Sequence, residues 1–450
     1  MEETVYCIKL MKYFLFIILF SLLKLDVFAQ KRWSLEDCAV YAVQHNIPLK
    51  RQDILIAIKN LDHDMALRER LPSVGGYLNG YSTFGHSQDV FGTIQRNDNF
   101  NSNIGINSEI VLYQYNYFRN QAKKATIQAD QERIEKDILI RDLTLKVLQG
   151  YLEVLLAQSL VNSQDSAIYF SIQLLDKTEK SAKVGATAPA VVSEVKATLA
   201  REKQQYQQYH KELQLKKMAL AQQMNYPDYN QLNIYDPQLG KDVFNKKIEI
   251  HKDYEVQSAL AKNPIFLKYK SQLFELDIED KIIKSGNYPL IKGSASLGTT
   301  YFNAFKANNT SPLFTQTKDN FAQQVAVAVT IPIFNKGKSK RLLQQNSLRK
   351  NEIDLLTQYE ENQQIQMLQK VVIDYQENIK QYEISKEAFL ATKESLEYSN
   401  LSFIAGKVSI YDVNNIKNNL IKTEAEMIRA KYNTLFSLLT HKYFITGYIN

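Results

Sequence analysis

Histidine, cysteine, serine and acidic side chains are the groups that could carry acid–base, nucleophilic or metal chemistry in this chain. His63 precedes Asp64, a pairing that could pass a proton, but two such neighbours on a helix more often belong to a solvated face. The chain has no HExxH metal motif, no Gly-x-Ser-x-Gly elbow and no glycine-rich phosphate loop. We therefore expect no enzyme activity and no catalytic, cofactor or metal site. The six histidines are His45, His63, His86, His210, His251 and His441.

Two cysteines limit the redox chemistry that is possible. Cys7 lies in an N-terminal segment that we expect to be removed, which leaves Cys38 as a single thiol. One thiol forms neither an intramolecular disulfide nor a metal–thiolate cluster. Cys38 has apolar neighbours on an expected helix and is predicted to be a small core residue.

The N-terminus has the pattern of a secretory signal peptide over residues 1–29. Lys9 and Lys12 precede an apolar run at 13–23, and small residues stand at 27 and 29, just before the expected cleavage point. The run is too short for a stable membrane-spanning helix, and charges close to its end disfavour the alternative of an N-terminal membrane anchor. Translation could begin at Met1 or at Met11. The mature chain is expected to be exported.

The composition predicts a folded chain built from long elements. Of the 450 residues, 45% are hydrophobic and 23% are charged, and only 15 glycines and 9 prolines act as breakers. The net charge of +7 is spread along the sequence, so no nucleic-acid partner is expected.

The chain contains two copies of one unit. Asn46 matches Asn263 and, at an offset four residues longer, Gly185 matches Gly406. Each copy is predicted to form a helix, two strands, a very long helix, a tight turn and a final helix. The expected divisions are the signal peptide at 1–29, repeat one at 30–225, a linker at 226–254 and repeat two at 255–450.

The long helices are expected at 118–184, where Gly150 is the one breaker, and at 338–405, which has neither glycine nor proline. At about 1.5 Å per residue each would reach roughly 100 Å. Apolar residues spaced alternately by three and four predict that these helices pack side by side as coiled coils. The clearest seam consists of Ile365, Leu368, Val372, Tyr375, Ile379 and Tyr382.

Four segments alternate apolar with polar residues, which predicts strands with one apolar and one polar face. They are expected at about 73–84, 103–112, 290–301 and 324–331, with long polar loops at 85–99 and 302–320. A half-buried soluble sheet gives the same alternation, but four such strands behind a signal peptide, with no helix to cover them, favour an outer-membrane sheet. The residues predicted to face lipid are Ile104, Ile106, Ile110, Leu112, Val325, Val327, Val329 and Ile331.

Four strands cannot cross a membrane alone, because an open sheet would leave the backbone groups of its two edges unpaired in lipid. Two copies would close an eight-stranded barrel filled by its own side chains, whereas three copies give twelve strands and begin to leave a lumen. The sequence therefore predicts a mainly helical fold in which a trimeric 12-stranded β-barrel continues into a long α-helical barrel.

In these features the chain resembles the TolC family of outer-membrane efflux proteins, over nearly the whole mature length. The matching pieces include Ser34–Asp37 at the start, Leu71–Ser73 before the first strand, Ile331–Gly337 after the last strand, and Gly406 with Asp412 at the second turn. The resemblance implies a homotrimeric channel-tunnel in the outer membrane of a Gram-negative bacterium, projecting mostly into the periplasm, with the linker in an equatorial belt. It also implies the exit duct of a tripartite efflux or type I secretion system, docked to a periplasmic adaptor and an inner-membrane RND or ABC transporter.

The same resemblance assigns roles to the two inter-helix turns. The positions at which an adaptor would dock are Gly185, Ala188, Gly406 and Ser409. The positions that would line a constricted periplasmic gate are Phe403, Lys407, Asp412 and Asn415. Three copies of Asp412 in one aperture would favour cations and raise one another's pKa. Asp412 and Ser409 could equally cap the last helix.

The first repeat departs from the family at two points. Val111 stands where the end of the strand usually has a proline, and Val191 stands where the turn often has an acid. A polar clamp between the two turns is therefore not expected.

The alternative hypothesis is a periplasmic coiled-coil scaffold or adaptor without a membrane barrel. It explains export and long helices, but it does not explain the hairpins, and adaptors carry a glycine-rich β-domain. The sequence leaves open the cargo, which could be a drug, a metal ion, a dye or a peptide, and the identity of the pump and adaptor.

Overall fold

The computed structural model describes residues 32–88, 90–235, 257, 259–305 and 311–447. The predicted signal peptide and most of the predicted linker lie outside these residues. In chain order the elements are β1 (Arg32–Trp33), α1 (Leu35–His45), α2 (Ile47–Arg68), β2 (Ser73–Thr83), β3 (His86–Gln88), β4 (Ile94–Arg96), β5 (Asn99–Gln114), α3 (Tyr117–Lys183), α4 (Pro189–Met224), β6 (Asn233–Ile234), α5 (Pro264–Ser285), β7 (Leu290–Ala304), α6 (Leu313–Asp319), β8 (Ala322–Thr330), α7 (Lys338–Ile404) and α8 (Ile410–Thr446).

The first pair of landmarks that the two repeats share, Asn46 and Asn263, marks the starts of two helices. Asn46 caps α2 by accepting the N–H of Leu49 at 3.3 Å, and Asn263 caps α5 by accepting the N–H of Ile265 at 3.2 Å. Each cap is followed by a proline within the first two helical positions, where its missing N–H costs nothing. The repeated sequence therefore specifies the same local structure twice.

The two long helices, α3 and α7, each contain 67 residues, and their bounds differ from the predicted ones by a single residue. Gly150 allows α4 to approach α3 closely, because an added Cβ would lie 3.3 Å from the side chain of Leu220. In α7, Leu368, Val372 and Tyr375 are buried along the predicted seam. The prediction of long, side-by-side helices is confirmed. Within the described part of the chain, none of the helices combines the length and the hydropathy needed to cross a membrane.

Strands β2, β5, β7 and β8 form one antiparallel sheet in that order. The central pair, β5 and β7, comes from different repeats and carries an ion pair between Lys292 and Glu109 at 2.6 Å. β2 and β8 lie at the edges, and neither has a second strand partner among the described residues. The sheet therefore joins the two repeats and ends in two open edges.

The register places the predicted apolar residues on one face of this sheet. Ile106 lies opposite Leu297, and Gly293 lies opposite both Ile110 and Val327. Residues directly opposite on antiparallel strands share a face. We call this surface the apolar sheet face; in a single chain most of it is exposed. It includes Val74, Leu78, Ile104, Ile106, Ile110, Leu112, Leu297, Val325, Val327 and Val329.

Ile331 lies outside the sheet, so the prediction that the last strand reaches it is wrong. β8 ends at Thr330, which pairs with Leu290, the first residue of β7. Pro289 has no N–H to continue the ladder, and Pro332 follows Ile331. The two prolines stop the pairing at this end.

The connections at the opposite end of the sheet contain more structure than the long polar loops that were predicted. β3 and β4 form a small hairpin within the first connection, and α6 lies in the second. Asn99 and Phe302 were assigned to loops, but they belong to β5 and β7. Asp98 is buried and accepts hydrogen bonds from the Gly85 N–H at 2.9 Å and from Arg96 Nε at 2.8 Å. This local polar network organises the chain where sequence alternation alone gave no signal.

The largest core lies midway along α3, where α1, α4 and α8 pack around it. Tyr151 is fully buried, and its hydroxyl donates to the backbone carbonyl of Tyr235, just after β6. β1 and β6 pair in parallel beside it. Cys38 is fully buried in this core, as predicted.

Candidate functional site: the turns of the two helical hairpins

The turns that join α3 to α4 and α7 to α8 have the same construction. Gly185 and Gly406 adopt positive φ angles of 76° and 72°. In each turn the N–H of the residue after the glycine donates to a carbonyl five positions earlier. Ala186 donates to the carbonyl of Ser181 at 3.0 Å, and Lys407 donates to the carbonyl of Ser402 at 2.9 Å. These bonds satisfy carbonyls that the helix ends leave free, and glycine adopts the left-handed conformation without strain. The repeated glycine is therefore required by the turn.

The starts of the two following helices differ. Ser409 and Asp412 form a capping box: Ser409 Oγ accepts the Asp412 N–H at 3.2 Å, and the Asp412 carboxylate accepts the Ser409 N–H at 3.0 Å. At the matching place in repeat one, Ala188 makes no side-chain cap bond, and Pro189 begins the helix. The second turn therefore has a polar cap that the first turn lacks.

The hydrogen bonds from Ser409 lower the pKa of Asp412 below its ordinary value, chiefly through the hydroxyl and then through the backbone N–H. Within one chain this effect is opposite to the increase expected from three converging carboxylates. The structure thus establishes the cap, and a gate role for Asp412 stays a prediction.

A small apolar core holds the two hairpins together close to their turns. Its buried members are Val195 of α4, Leu396 of α7, and Ile410 and Val413 of α8. Phe403, predicted to line the gate, packs against this core. Between the turns lies a cavity of about 680 Å³, whose walls come from both repeats. The lining includes Leu174, Thr187, Val191, Phe403, Ile404 and Val408.

The other predicted gate residues have a different environment. Lys407, Asp412 and Asn415 are exposed at the same end of the chain as Phe403. Asp412 and Asn415 are three positions apart on α8 and therefore lie on neighbouring parts of one helix surface. The four residues thus gather at one end of the molecule, with Phe403 directed inward and the other three available to solvent.

A buried ion pair lies further along the same helices. Lys417 of α8 and Glu202 of α4 are 3% and 5% exposed, and Lys417 Nζ lies 2.7 Å from Glu202 Oε1. Lys417 also donates to the backbone carbonyl of Ala167 at 3.1 Å and to the hydroxyl of Ser171, both in α3. Its ammonium is 5.2 Å from the centre of the Phe170 ring. This cluster therefore ties the last helix of repeat two to both helices of the first hairpin.

Burial lowers the pKa of the Lys417 ammonium, and the hydrogen bond and charge of Glu202 partly oppose that decrease. Sequence reasoning missed this pair. One signal was present, because Lys417 follows Ile410 and Val413 at helical spacing and so falls on the apolar side of α8. Its partner is 215 positions away in the chain (417 − 202), and no local pattern identifies it.

The described residues contain no group of three or more His, Cys, Asp or Glu side chains placed to hold a metal ion.

No protein-family description matches this chain, and no curated protein is significantly similar to it in sequence. Solved structures match it over nearly their whole length. A membrane protein from Pseudomonas aeruginosa is 13% identical, with a TM-score of 0.73 and 93% of each chain covered. The Campylobacter jejuni CmeC outer membrane channel is 14% identical, with a TM-score of 0.72 and coverage of 92% of this chain and 85% of that one.

The outer membrane protein VceC from Vibrio cholerae is 16% identical, with a TM-score of 0.69 and coverage of 92% of this chain and 97% of that one. Identities this low show a shared fold and nothing finer. The chain has the fold of TolC-like outer membrane channels, which confirms the predicted fold class.

Proposed function

We propose that this chain is one subunit of a homotrimeric outer-membrane channel-tunnel that conducts substrates passively out of the cell. The observation that carries the proposal is a four-stranded sheet with two open edges and an exposed apolar face, continuous with two helices of 67 residues each. Its support is the fold shared with outer membrane channels.

The open edges favour assembly into a closed ring. Within the described part of the chain, β2 and β8 each leave one row of backbone groups without a strand partner, which is costly in lipid. Joining β8 of one copy to β2 of the next satisfies both edges, and three copies give a twelve-stranded barrel wide enough to begin to leave a lumen. The apolar sheet face would then contact lipid, and the face with Lys292 and Glu109 would line the interior.

The helices α2, α3, α5 and α7 all join the sheet at the same end, so they would extend the barrel on one side of the membrane. At 1.5 Å per residue, α3 and α7 would form a tunnel of roughly 100 Å in the periplasm. The turns at Gly185 and Gly406 would form its far end, where the cavity between the repeats offers an apolar surface to a partner. We assign this end to docking of a periplasmic adaptor.

In this proposal the chain is the exit duct of a tripartite efflux or type I secretion system. An inner-membrane RND or ABC transporter would supply the energy and select the cargo, and the adaptor would connect the transporter to the duct. The exposed Lys407, Asp412 and Asn415 would surround the periplasmic aperture, with Phe403 behind them.

The rival function is a periplasmic coiled-coil scaffold, and membrane fractionation separates the two. We expect the mature chain, produced in a Gram-negative host, to be found with the outer membrane, to need detergent for extraction, and to have the mass of a trimer. In planar bilayers the trimer should conduct ions. A stable monomer in the periplasmic fraction, without detergent, would support the scaffold and refute the duct.

A further inference from the structure

Cations that are dispersed along the sequence are gathered by the fold at one end of the sheet. β5 and β8 end there, and β2 and β7 begin there, because β5 is antiparallel to both β2 and β7, and β7 is antiparallel to β8. The four junctions between strands and helices occupy 68–72, 115–123, 281–289 and 335–341. They contain one acid, Glu69, and ten cations: Arg68, Arg70, Arg119, Lys123, Lys281, Lys284, Lys336, Lys338, Lys340 and Arg341.

Four of these cations line one pocket, which we call the junction pocket. It has a volume of about 450 Å³ and lies between the start of α3 and the end of α5. Tyr115 and Tyr288 stack beside it with ring centres 3.9 Å apart. None of the described residues that line it is acidic. The cations of the pocket are Arg119, Lys123, Lys281 and Lys284.

Nearby acids do not neutralise the junction pocket, because they are paired with other cations. On α5, Glu279 lies 3.2 Å from Lys124, and Asp277 and Asp280 each lie 2.7 Å from Lys350. Among the described residues, Arg119, Lys281 and Lys284 have no ion pair. The pocket therefore has a concentration of positive charge that no described residue neutralises as a counter-ion.

The start of α3 adds to this charge. Its first turn contains no acidic residue, and Asn116, which precedes it, makes no side-chain cap bond. The free N–H groups of a helix start attract anions, and a nearby cation such as Arg119 strengthens that attraction. Cations at a helix start repel its dipole unless an anion is present. An anion such as a phosphate would complement these charges.

We propose that the junction pocket binds the phosphate of an anionic phospholipid headgroup. This inference rests on the proposed function, which places the sheet in the outer membrane and its helical end at the periplasmic leaflet. Aromatic rings are typical of that depth, and basic clusters just outside the membrane bind anionic headgroups. The other end of the sheet has no comparable excess of cations among its described residues, since Arg96 pairs with Asp98 and Lys318 is followed by Asp319.

Native mass spectrometry of the detergent-solubilised trimer, with added phosphatidylglycerol or phosphatidylcholine, tests the proposal. We expect up to three phosphatidylglycerol molecules per trimer, with phosphatidylcholine bound far less. Each cation near a headgroup contributes about fivefold to affinity, so Lys281→Gln/Lys284→Gln should weaken phosphatidylglycerol binding about 30-fold. Arg119→Gln, which leaves α5 intact, should weaken it about fivefold.

The matched control is Lys203→Gln/Lys211→Gln, which removes the same charge from exposed positions on α4. Equal binding of phosphatidylglycerol by the control and the junction-pocket variants would overturn the proposal, as would equal binding of the two lipids. Release of the lipid by inorganic phosphate at matched concentration would reassign the pocket to a soluble anion and overturn the lipid assignment.

Conductance separates failure of this inference from failure of the proposed function. A trimer that conducts in phosphatidylcholine bilayers but does not prefer phosphatidylglycerol refutes the lipid site and leaves the duct intact. A chain that neither trimerises nor conducts refutes both, since the lipid site depends on placement of the sheet in a membrane.

Discussion

Lys417 Nζ lies 2.7 Å from Glu202 Oε1, and this pair joins the last helix of repeat two to the first hairpin with almost no solvent contact. Removing two charges from water costs several kcal/mol per ion, so such a pair contributes little net stability. Removal of one partner is different, because it leaves the other charge buried and unpaired. The pair therefore makes the packing of the two repeats intolerant of a change at either residue.

We expect Lys417→Met to lower the free energy of unfolding by about 3–5 kcal/mol, because Glu202 would remain buried without its partner. The double variant Lys417→Met/Glu202→Leu should recover most of that loss. Urea titration followed by helical circular dichroism measures both. Lys422→Met, at an exposed position of α8, is the control and should change the free energy by less than about 0.5 kcal/mol. A double variant as unstable as the single one would show that packing, and not charge, dominates.

The register of β7 and β8 predicts unequal effects of two neighbouring substitutions. Val327→Asp places a charge on the apolar sheet face and should cost on the order of 2 kcal/mol per chain near the membrane midplane. Ala328→Asp should be tolerated, because Ala328 lies opposite Lys292 on the other face. Trimer yield after detergent extraction is the measurement. Equal yields would show that the apolar sheet face does not contact lipid.

Two substitutions separate the cap and gate roles at the second turn. Ser409→Ala removes the capping oxygen and should cost about 1 kcal/mol of stability while cation selectivity stays the same. Asp412→Asn should weaken both the cap and the selectivity for cations in planar bilayers, provided that three copies surround the aperture. Unchanged selectivity in Asp412→Asn would restrict Asp412 to capping and direct the search for the gate to Lys407 or Phe403.

Protonation of Asp412 gives a further test. Its pKa in the folded chain lies below the ordinary 3.8 because of Ser409. A carboxyl group with a lowered folded pKa stabilises the fold above its unfolded pKa, and this contribution is lost as pH falls through the folded value. We therefore expect the stability that the Ser409–Asp412 cap provides to persist through mild acid and to decline only as the pH falls below 3.8, which thermal unfolding at a series of pH values measures. A midpoint above that value would show that repulsion among three carboxylates outweighs the cap.

The turn glycines should resist substitution for a conformational reason alone. At Gly406 an added Cβ would meet no atom of the described residues within 4 Å, but φ is +72°. Gly406→Ala should therefore cost about 1–2 kcal/mol, the penalty of the left-handed conformation, and Gly406→Asn should cost less because asparagine adopts it more readily. Thermal unfolding of the two variants and of the unchanged protein measures these losses. Equal stability of all three would mean that the turn changes conformation to accommodate a side chain.

The features that the sequence predicted well are those in which apolar residues recur at a regular spacing. The long helices are each within one residue of their expected bounds, because three- and four-residue spacing persists over many turns. The strand faces followed from the alternation of residues such as Ile104 and Ile106. The end of β8 was missed, since alternation continues to Ile331 although backbone pairing stops at Thr330.

The parts that were not predicted depend on contacts between distant residues. The hairpin of β3 and β4 is organised by Asp98, whose bonds to Gly85 and Arg96 leave no periodic signature. The sequence around Glu202 does not distinguish it from other acidic residues on helices. It is the packing of α8 against α3 and α4 that buries Glu202 beside Lys417. At the site, the cap at Ser409 was foreseen as one of two possibilities, because its spacing from Asp412 is local.

The pairing of β5 with β7 also implies an order of folding. Glu109 and Lys292 meet across β5 and β7, although 183 positions separate them in the chain. Contacts this distant form slowly, whereas a helical hairpin such as α3 with α4 forms from local contacts. Folding of that hairpin brings the chain back to the middle of α3, where Leu220 lies beside Gly150, and so shortens the loop that β5 and β7 must close. The sheet should therefore be the last part to form, so its apolar face would be completed only after most of the water-exposed chain has folded.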